Sequence, residues 1–325
     1  MITKTAFLQT SETDPYKNLA LEEFLLMNCQ PGECILYLWQ NRNTVVIGRN
    51  QNCWKECNVS RLEEDGGFLV RRLSGGGAVY HDMGNLNFTF LVRKEDYNVD
   101  RQMNVILRAM EHLGIHAEKN GRNDATIDGR KFSGNAFYET GDHCYHHGTL
   151  LIRTDTQKMS RYLQVSPEKL KSKGVQSVRS RVANLCEFCP DCNVELVSRA
   201  MRQAFGEIYG IPAEDFPMKR LEKSMLEQSE EHFSSWDWKY GRSIPFQHEL
   251  SCRFPWGEVQ IQLDVSGGII RMVNVFSDSM NPDWTQTLSD ALEGQPYSQD
   301  AMCTAAGDLP GDIREDLQLL IRESI

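Results

Sequence analysis

The chain has 325 residues, 40% of them apolar, which is enough to build two domains with separate cores. Its net charge of −10 argues against a dedicated nucleic-acid or membrane-surface binder, since both need a basic face. No run of about 18 apolar residues occurs and the first ten lack a cationic start before an apolar core, so a cytoplasmic protein acting without membrane or nucleic acid is expected.

In chain order, Asp14-Pro15 predicts a helix start, with Asp14 as N-cap and Leu19, Ala20, Phe24, Leu26 and Met27 as the buried stripe. Residues 33–40 and 44–47 read as strands joined by the polar turn Asn41-Arg42-Asn43.

The next stretch is the most informative. A short apolar run, 68–70, leads into Arg71-Arg72-Leu73-Ser74-Gly75-Gly76-Gly77, and then Leu86, Phe88, Phe90 and Val92 alternate with smaller or polar residues. The pattern predicts strand, glycine loop, strand. Three glycines in a row suit unusual backbone angles or a ligand resting on bare N–H groups, and a guanidinium pair beside them suits a phosphate or carboxylate. A flexible hairpin with solvated arginines is the other reading.

Residues 101–113 predict a helix, with Met103, Ile106, Leu107 and Met110 at helical spacing. Asp128-Gly129 is a favoured two-residue hairpin turn, which puts Lys131 on a firm element where its ammonium is either aimed or simply solvated. His146 and His147 open another strand and face opposite ways, so at most one of them faces a site.

The basic segment 169–181 is either a mobile lid over a phosphate or a solvated loop. Residues 194–209 predict a helix with Gly210 as its C-cap. A polar stretch, 219–232, marks a composition shift, and 240–245 reads as a connection between domains. Beyond it, Val259, Ile261, Leu263 and Val265 alternate before Ser266-Gly267-Gly268 turns the chain into 269–276, with helices expected at 287–292 and from Ile313. Cys186, Cys189 and Cys192 form a C-x-x-C-x-x-C run of three thiols with no evident fourth metal ligand, although Cys53 and Cys57 are candidates. Cys144, between His143 and His146, is a nucleophile only if one histidine meets it in space.

Four blocks in order, residues 71–90, 121–125, 129–136 and 146–151, resemble the bacterial lipoate-protein ligase A family, and 171–182 and 276–282 extend the likeness over nearly the whole chain. The resemblance implies an α/β fold: a mixed-sheet catalytic domain of the biotin/lipoyl-ligase type (1–245), related to class II tRNA synthetase cores, then a small α+β accessory domain (246–325). It implies ATP-dependent activation of lipoate to lipoyl-AMP, followed by transfer to one lysine of a lipoyl domain on E2 subunits of 2-oxoacid dehydrogenases or the glycine-cleavage H protein. ATP with Mg²⁺ and lipoate are the expected ligands, with no tightly bound cofactor, and a monomer is expected.

Carried over residue by residue, the resemblance makes Lys131 the motif lysine that holds the carboxylate and the α-phosphate in turn. Arg72 would hold ATP phosphates, Gly75, Gly76, Gly77, Ala78, Val79 and Tyr80 would form the backbone wall, and Asn123 and Asp124 would place the nucleotide, Asp124 with its Mg²⁺. His81, Asn85, Ala136, His147 and Thr149 would line the pocket, and Lys173, Gly174, Ser177, Arg179 and Arg181 would cap the adenylate. Cys144 and the cysteine run are spectators in this chemistry. The rivals are an amidotransferase of the same fold that moves lipoyl or octanoyl groups without ATP through a cysteine thioester, and a binding protein without turnover.

Overall fold

A computed structural model describes residues 1–121, 123–164, 182–241 and 245–325. Its contacts divide the chain into two units: Met1–Val46, Trp54–Arg71 and Val79–Ser235 in the first, Ile47–Cys53, Arg72–Ala78 and Trp236–Ile325 in the second. Among the described residues no helix is long and apolar enough to cross a membrane.

The first unit is built on β1 (Lys4–Gln9), β2 (Glu33–Trp39), β3 (Thr44–Ile47), β4 (Phe68–Arg71), β5 (Val79–His81), β6 (Asn85–Arg93), β7 (Glu118–Asn120), β8 (Asp124–Ile127), β9 (Arg130–Thr140), β10 (His143–Leu151) and β11 (Glu214–Asp215). Among the described residues these form a mixed eight-stranded sheet, β11-β1-β2-β6-β10-β9-β8-β7, and a three-stranded sheet, β4-β3-β5. The two strands expected on either side of the Asn41-Arg42-Asn43 turn therefore lie in different sheets. Those expected on either side of the glycine loop are likewise separated: β4 and β5 flank β3, and β6 belongs to the large sheet.

Strand periodicity gives the large sheet two unlike faces. Cys34, Leu36 and Leu38 of β2, Leu86, Phe88, Phe90 and Val92 of β6, and Cys144 and Leu150 of β10 form a core with α2 (Val99–His112) and α3 (Val194–Tyr209). Residues 194–209 are helical as predicted, and Gly210 takes φ +67° at the C-cap.

The other face carries Tyr37 and Trp39 paired with Thr89 and Asn87, which pair in turn with His147 and Thr149. The helix α1 (Pro15–Met27) reaches this face, its N-cap Asp14 accepting from Tyr16 N at 2.9 Å. Packed also by α4 (Lys223–Ser234), α1 buries Asn18 and Glu22 as well as its leucines. Met27, expected in the buried stripe, is 48% exposed: it is the helix's last residue, and no further turn covers it. The helix α4 is missed by periodicity because Phe233 is its one buried residue.

In the second unit β12 (His248–Phe254), β13 (Gly257–Ser266) and β14 (Ile269–Ser277) form an antiparallel sheet. Gly267 and Gly268 both have positive φ at the tight turn, as their sequence predicts. Val259, Ile261 and Leu263 pack on α5 (Trp284–Leu292), α6 (Gln299–Ala305) and α7 (Gly311–Ser324), of which α6 has no counterpart in the sequence reading.

Candidate active site

Lys131 owes its placement to two local features. Asp128 and Gly129 take φ +51° and +74°, the paired positive angles of a tight hairpin between β8 and β9. The register Asp124↔Gly134, Ala125↔Ser133, Thr126↔Lys131 then leaves Phe132 as an extra residue in β9. This bulge resets the alternation, so Lys131 and Gly134, three residues apart, share the face of Asp124 and Thr126. On that face Lys131 Nζ lies 2.6 Å from Asp124 Oδ1, both side chains about one-fifth exposed. The main chain at Lys131 is held from its other edge, Ala183 N donating to Lys131 O at 2.8 Å.

Further along the same face, Gly134 N donates to Thr149 Oγ1 at 3.3 Å, and Ala136 pairs with His147. His147 Nδ1 lies 2.8 Å from Glu22 Oε1, and its ring lies tilted at 35° to that of Tyr145, with 4.6 Å between the centroids. Thr89 Oγ1 donates to the same Glu22 oxygen at 2.6 Å and accepts from Trp39 Nε1 at 3.1 Å. Asn85 Nδ2 donates to Asn87 Oδ1 at 2.8 Å, while Asn85 Oδ1 and Asn87 Nδ2, both buried, have no hydrogen-bond partner among the described residues.

One sheet face thus gathers Asp124, Lys131, Ala136, His147, Thr149 and Asn85. It adds Glu22, Trp39, Asn87 and Thr89, which sequence reasoning missed. Their signals were available: period two from Asn85 reaches Asn87 and Thr89, and Glu22 interrupts an apolar helix.

Other sequence candidates sit apart from that face. Asn123 works on the backbone, Asn135 N donating to Asn123 O at 2.8 Å. Val79 pairs with Val46 in the small sheet. There too, Tyr80 Oη donates to Asn43 Oδ1 at 3.0 Å, and Asn41 Nδ2 lies 3.3 Å from His81 Nδ1.

In the second unit the glycine loop is closed by its own arginine. Arg72, 5% exposed, donates from Nε to Ser74 Oγ at 3.0 Å and from Nη2 to Gly75 O at 2.7 Å and Gly77 O at 2.9 Å. The neighbouring main chain explains two of the glycines. A Cβ on Gly75 would stand 2.3 Å from Ser279 O, and Gly76, at φ +89°, donates its N–H to that oxygen at 3.0 Å. Nothing lies within 4 Å of a Cβ built on Gly77, which Ala78 follows.

Cys144 is buried in the core, on the sheet face opposite Lys131, and burial with nearby Glu139 pushes its thiol up to about 11. His146 is engaged by Gln102 and Asn135, and His143 by Arg93 and Asp142. Burial and its neighbour Cys189 push the Cys192 thiol up to about 12. No group of three His, Cys, Asp or Glu suited to a metal occurs among the described residues. Lys173, Gly174, Ser177, Arg179 and Arg181 lie outside the described residues.

Residues 14–206 match the family model of the lipoyl protein ligase A/B catalytic domain, and 243–318 match that of the bacterial lipoate protein ligase C-terminus. A lipoate-protein ligase A from Psychrobacter cryohalolentis is 42% identical over 304 residues, 91% of this chain and 90% of that one. The P. falciparum protein LipL1, solved in complex with lipoate, superposes with a TM-score of 0.85 at 30% identity, covering 98% of this chain and 99% of that one. A lipoate-protein ligase A bound with ATP gives a TM-score of 0.63 at 25% identity, over 74% and 99% of the two chains.

Proposed function

The chain belongs to the lipoate-protein ligase A family, and on that premise we propose that it activates lipoate with ATP and passes the lipoyl group to a lysine of a carrier protein in the cytoplasm. The observation that carries this reading is the Lys131–Asp124 pair, on the sheet face that also carries Asn85, Thr149 and the Glu22–His147 pair. In the first step a lipoate carboxylate oxygen attacks the α-phosphorus of ATP, a P–O bond forms and pyrophosphate leaves. The Lys131 ammonium holds the attacking carboxylate and then the charge that builds on the α-phosphate. In the second step the acceptor amine attacks the acyl carbon, loses a proton, and AMP leaves.

Asp124 offers one carboxylate beside Lys131, a donor set that suits Mg²⁺ held mainly by phosphates. When bound, that ion would neutralise phosphate charge. Asn85, Ala136, His147 and Thr149 line the acyl site, and phosphate binding by Arg72 and its glycine loop is the other part of the reading. The division into a catalytic domain, 1–245, and an accessory domain, 246–325, belongs to the same proposal, as do E2 lipoyl domains and the H protein as acceptors.

Incubation of the purified protein with ATP, Mg²⁺ and lipoate tests it, following pyrophosphate and then the mass of added apo H protein. Pyrophosphate release with a lipoyl mass gain is expected. Carrier modification only from an acylated donor protein, without ATP, would establish the amidotransferase instead. Against that alternative stands Cys144, buried on the wrong face with a raised pKa.

A further inference from the structure

Gly134 closes the motif that contains Lys131, yet neither the hairpin turn nor the bulge requires a glycine there. Its φ lies outside the left-handed region, so an alanine backbone fits. The constraint comes from space. A Cβ built on Gly134 would stand 2.5 Å from Lys131 Nζ and 2.6 Å from Lys131 Cε, with Thr149 Oγ1 next at 3.8 Å. No backbone atom is among these near neighbours. Gly148, across on β10, is a contrast: its Cβ would meet Gly134 O at 2.6 Å and the Phe88 ring at 2.6 Å, fixed parts of the sheet and core.

We propose that Gly134 is a positioning residue whose missing side chain is the seat of the Lys131 ammonium; this rests on the role given to Lys131 above. The bulge at Phe132 brings the two residues onto one face. There Gly134, opposite Asp124 in the strand register, lets the lysine chain lie flat against the sheet with its charge 2.6 Å from Asp124. A methyl at 134 would lift the end of a flexible chain rather than strain the fold, so stability and catalysis separate. Displacement of a reacting or charge-stabilising group by about 1 Å costs on the order of 10²-fold in rate.

The test compares Gly134→Ala, Lys131→Ala and the double variant by crystal structure, melting temperature and steady-state pyrophosphate release. For Gly134→Ala the expected result is a displaced Nζ, an unchanged melting temperature, and kcat down about 10²-fold with the KM for ATP little changed. Adding Gly134→Ala to Lys131→Ala is expected to cost nothing further, because both act through one ammonium. The proposal is overturned if Nζ keeps its place in Gly134→Ala, if losses multiply in the double variant, or if melting temperature falls in step with rate. Loss in Lys131→Ala beside full activity in Gly134→Ala overturns the proposal alone. Full activity in Lys131→Ala overturns the reading of Lys131 and this role with it.

Discussion

His147 Nδ1 meets Glu22 Oε1 at 2.8 Å across the gap between sheet and helix, and Glu22 is 1% exposed. The same oxygen accepts from Thr89, so one carboxylate anchors two strands to α1. A carboxylate partner places the Nδ1 proton and fixes the ring's orientation. Glu22→Ala leaves two buried donors without that acceptor and is expected to cost on the order of 3 kcal/mol in urea unfolding. Glu22→Gln keeps an acceptor oxygen and is expected to recover more than half of the loss. Equal losses in both variants would mean that packing, not hydrogen bonding, fixes this contact.

Lys131 and Cys144 lie on opposite faces of one sheet, which makes their substitutions a clean pair. Lys131→Ala is expected to lower pyrophosphate release by about 10²–10³-fold, the range for removing one preorganised charge-stabilising group. Cys144→Ala is expected to leave that rate unchanged and to cost about 1 kcal/mol of stability by opening a small core cavity. Rapid-quench assays with both proteins decide between them, and loss of activity in Cys144→Ala alone would point to an acyl-thioester route.

The contrast between faces also explains what the sequence disclosed. Leu86, Phe88, Phe90 and Val92 announce a strand because one face of β6 meets a core. The other face, with Asn85, Asn87 and Thr89, is equally buried but polar, and reads in sequence like a solvent face. Turn chemistry was legible at Asp128-Gly129 and Gly267-Gly268, where only certain residues tolerate the angles. Pairing between distant segments was not: the small sheet needs β3 between β4 and β5, and nothing local specifies it. The partner of Glu22 was illegible for the same reason, since His147 is 125 residues away.

Arg72 donates to three acceptors inside the glycine loop, a task that needs the planar fork of a guanidinium. Arg72→Lys keeps the charge but has no fork to span Ser74, Gly75 and Gly77. Faster amide hydrogen exchange across 72–78 is expected, with weaker ATP affinity and a lower melting temperature. Exchange as slow as in the parent protein, with ATP affinity still reduced, would show that the arginine acts on phosphate alone.

His146 gives the protein a pH-dependent weakness of definite sign. Its ring is buried against Phe88, Phe90 and Phe137, and burial holds its pKa down to about 3 from an unfolded value near 6.5. Between those two values the unfolded chain binds a proton that the folded one refuses. The stability owed to the neutral ring is therefore complete above about pH 6.5 and declines as pH falls toward 3, by about 1.4 kcal/mol per pH unit. Urea unfolding at pH 7 and pH 5 should differ by on the order of 2 kcal/mol from this residue. His146→Gln, which cannot titrate, is expected to be weaker at pH 7 through poorer packing yet to show a flatter profile. A profile as steep as the parent's between pH 7 and pH 5 would assign the acid sensitivity to other groups.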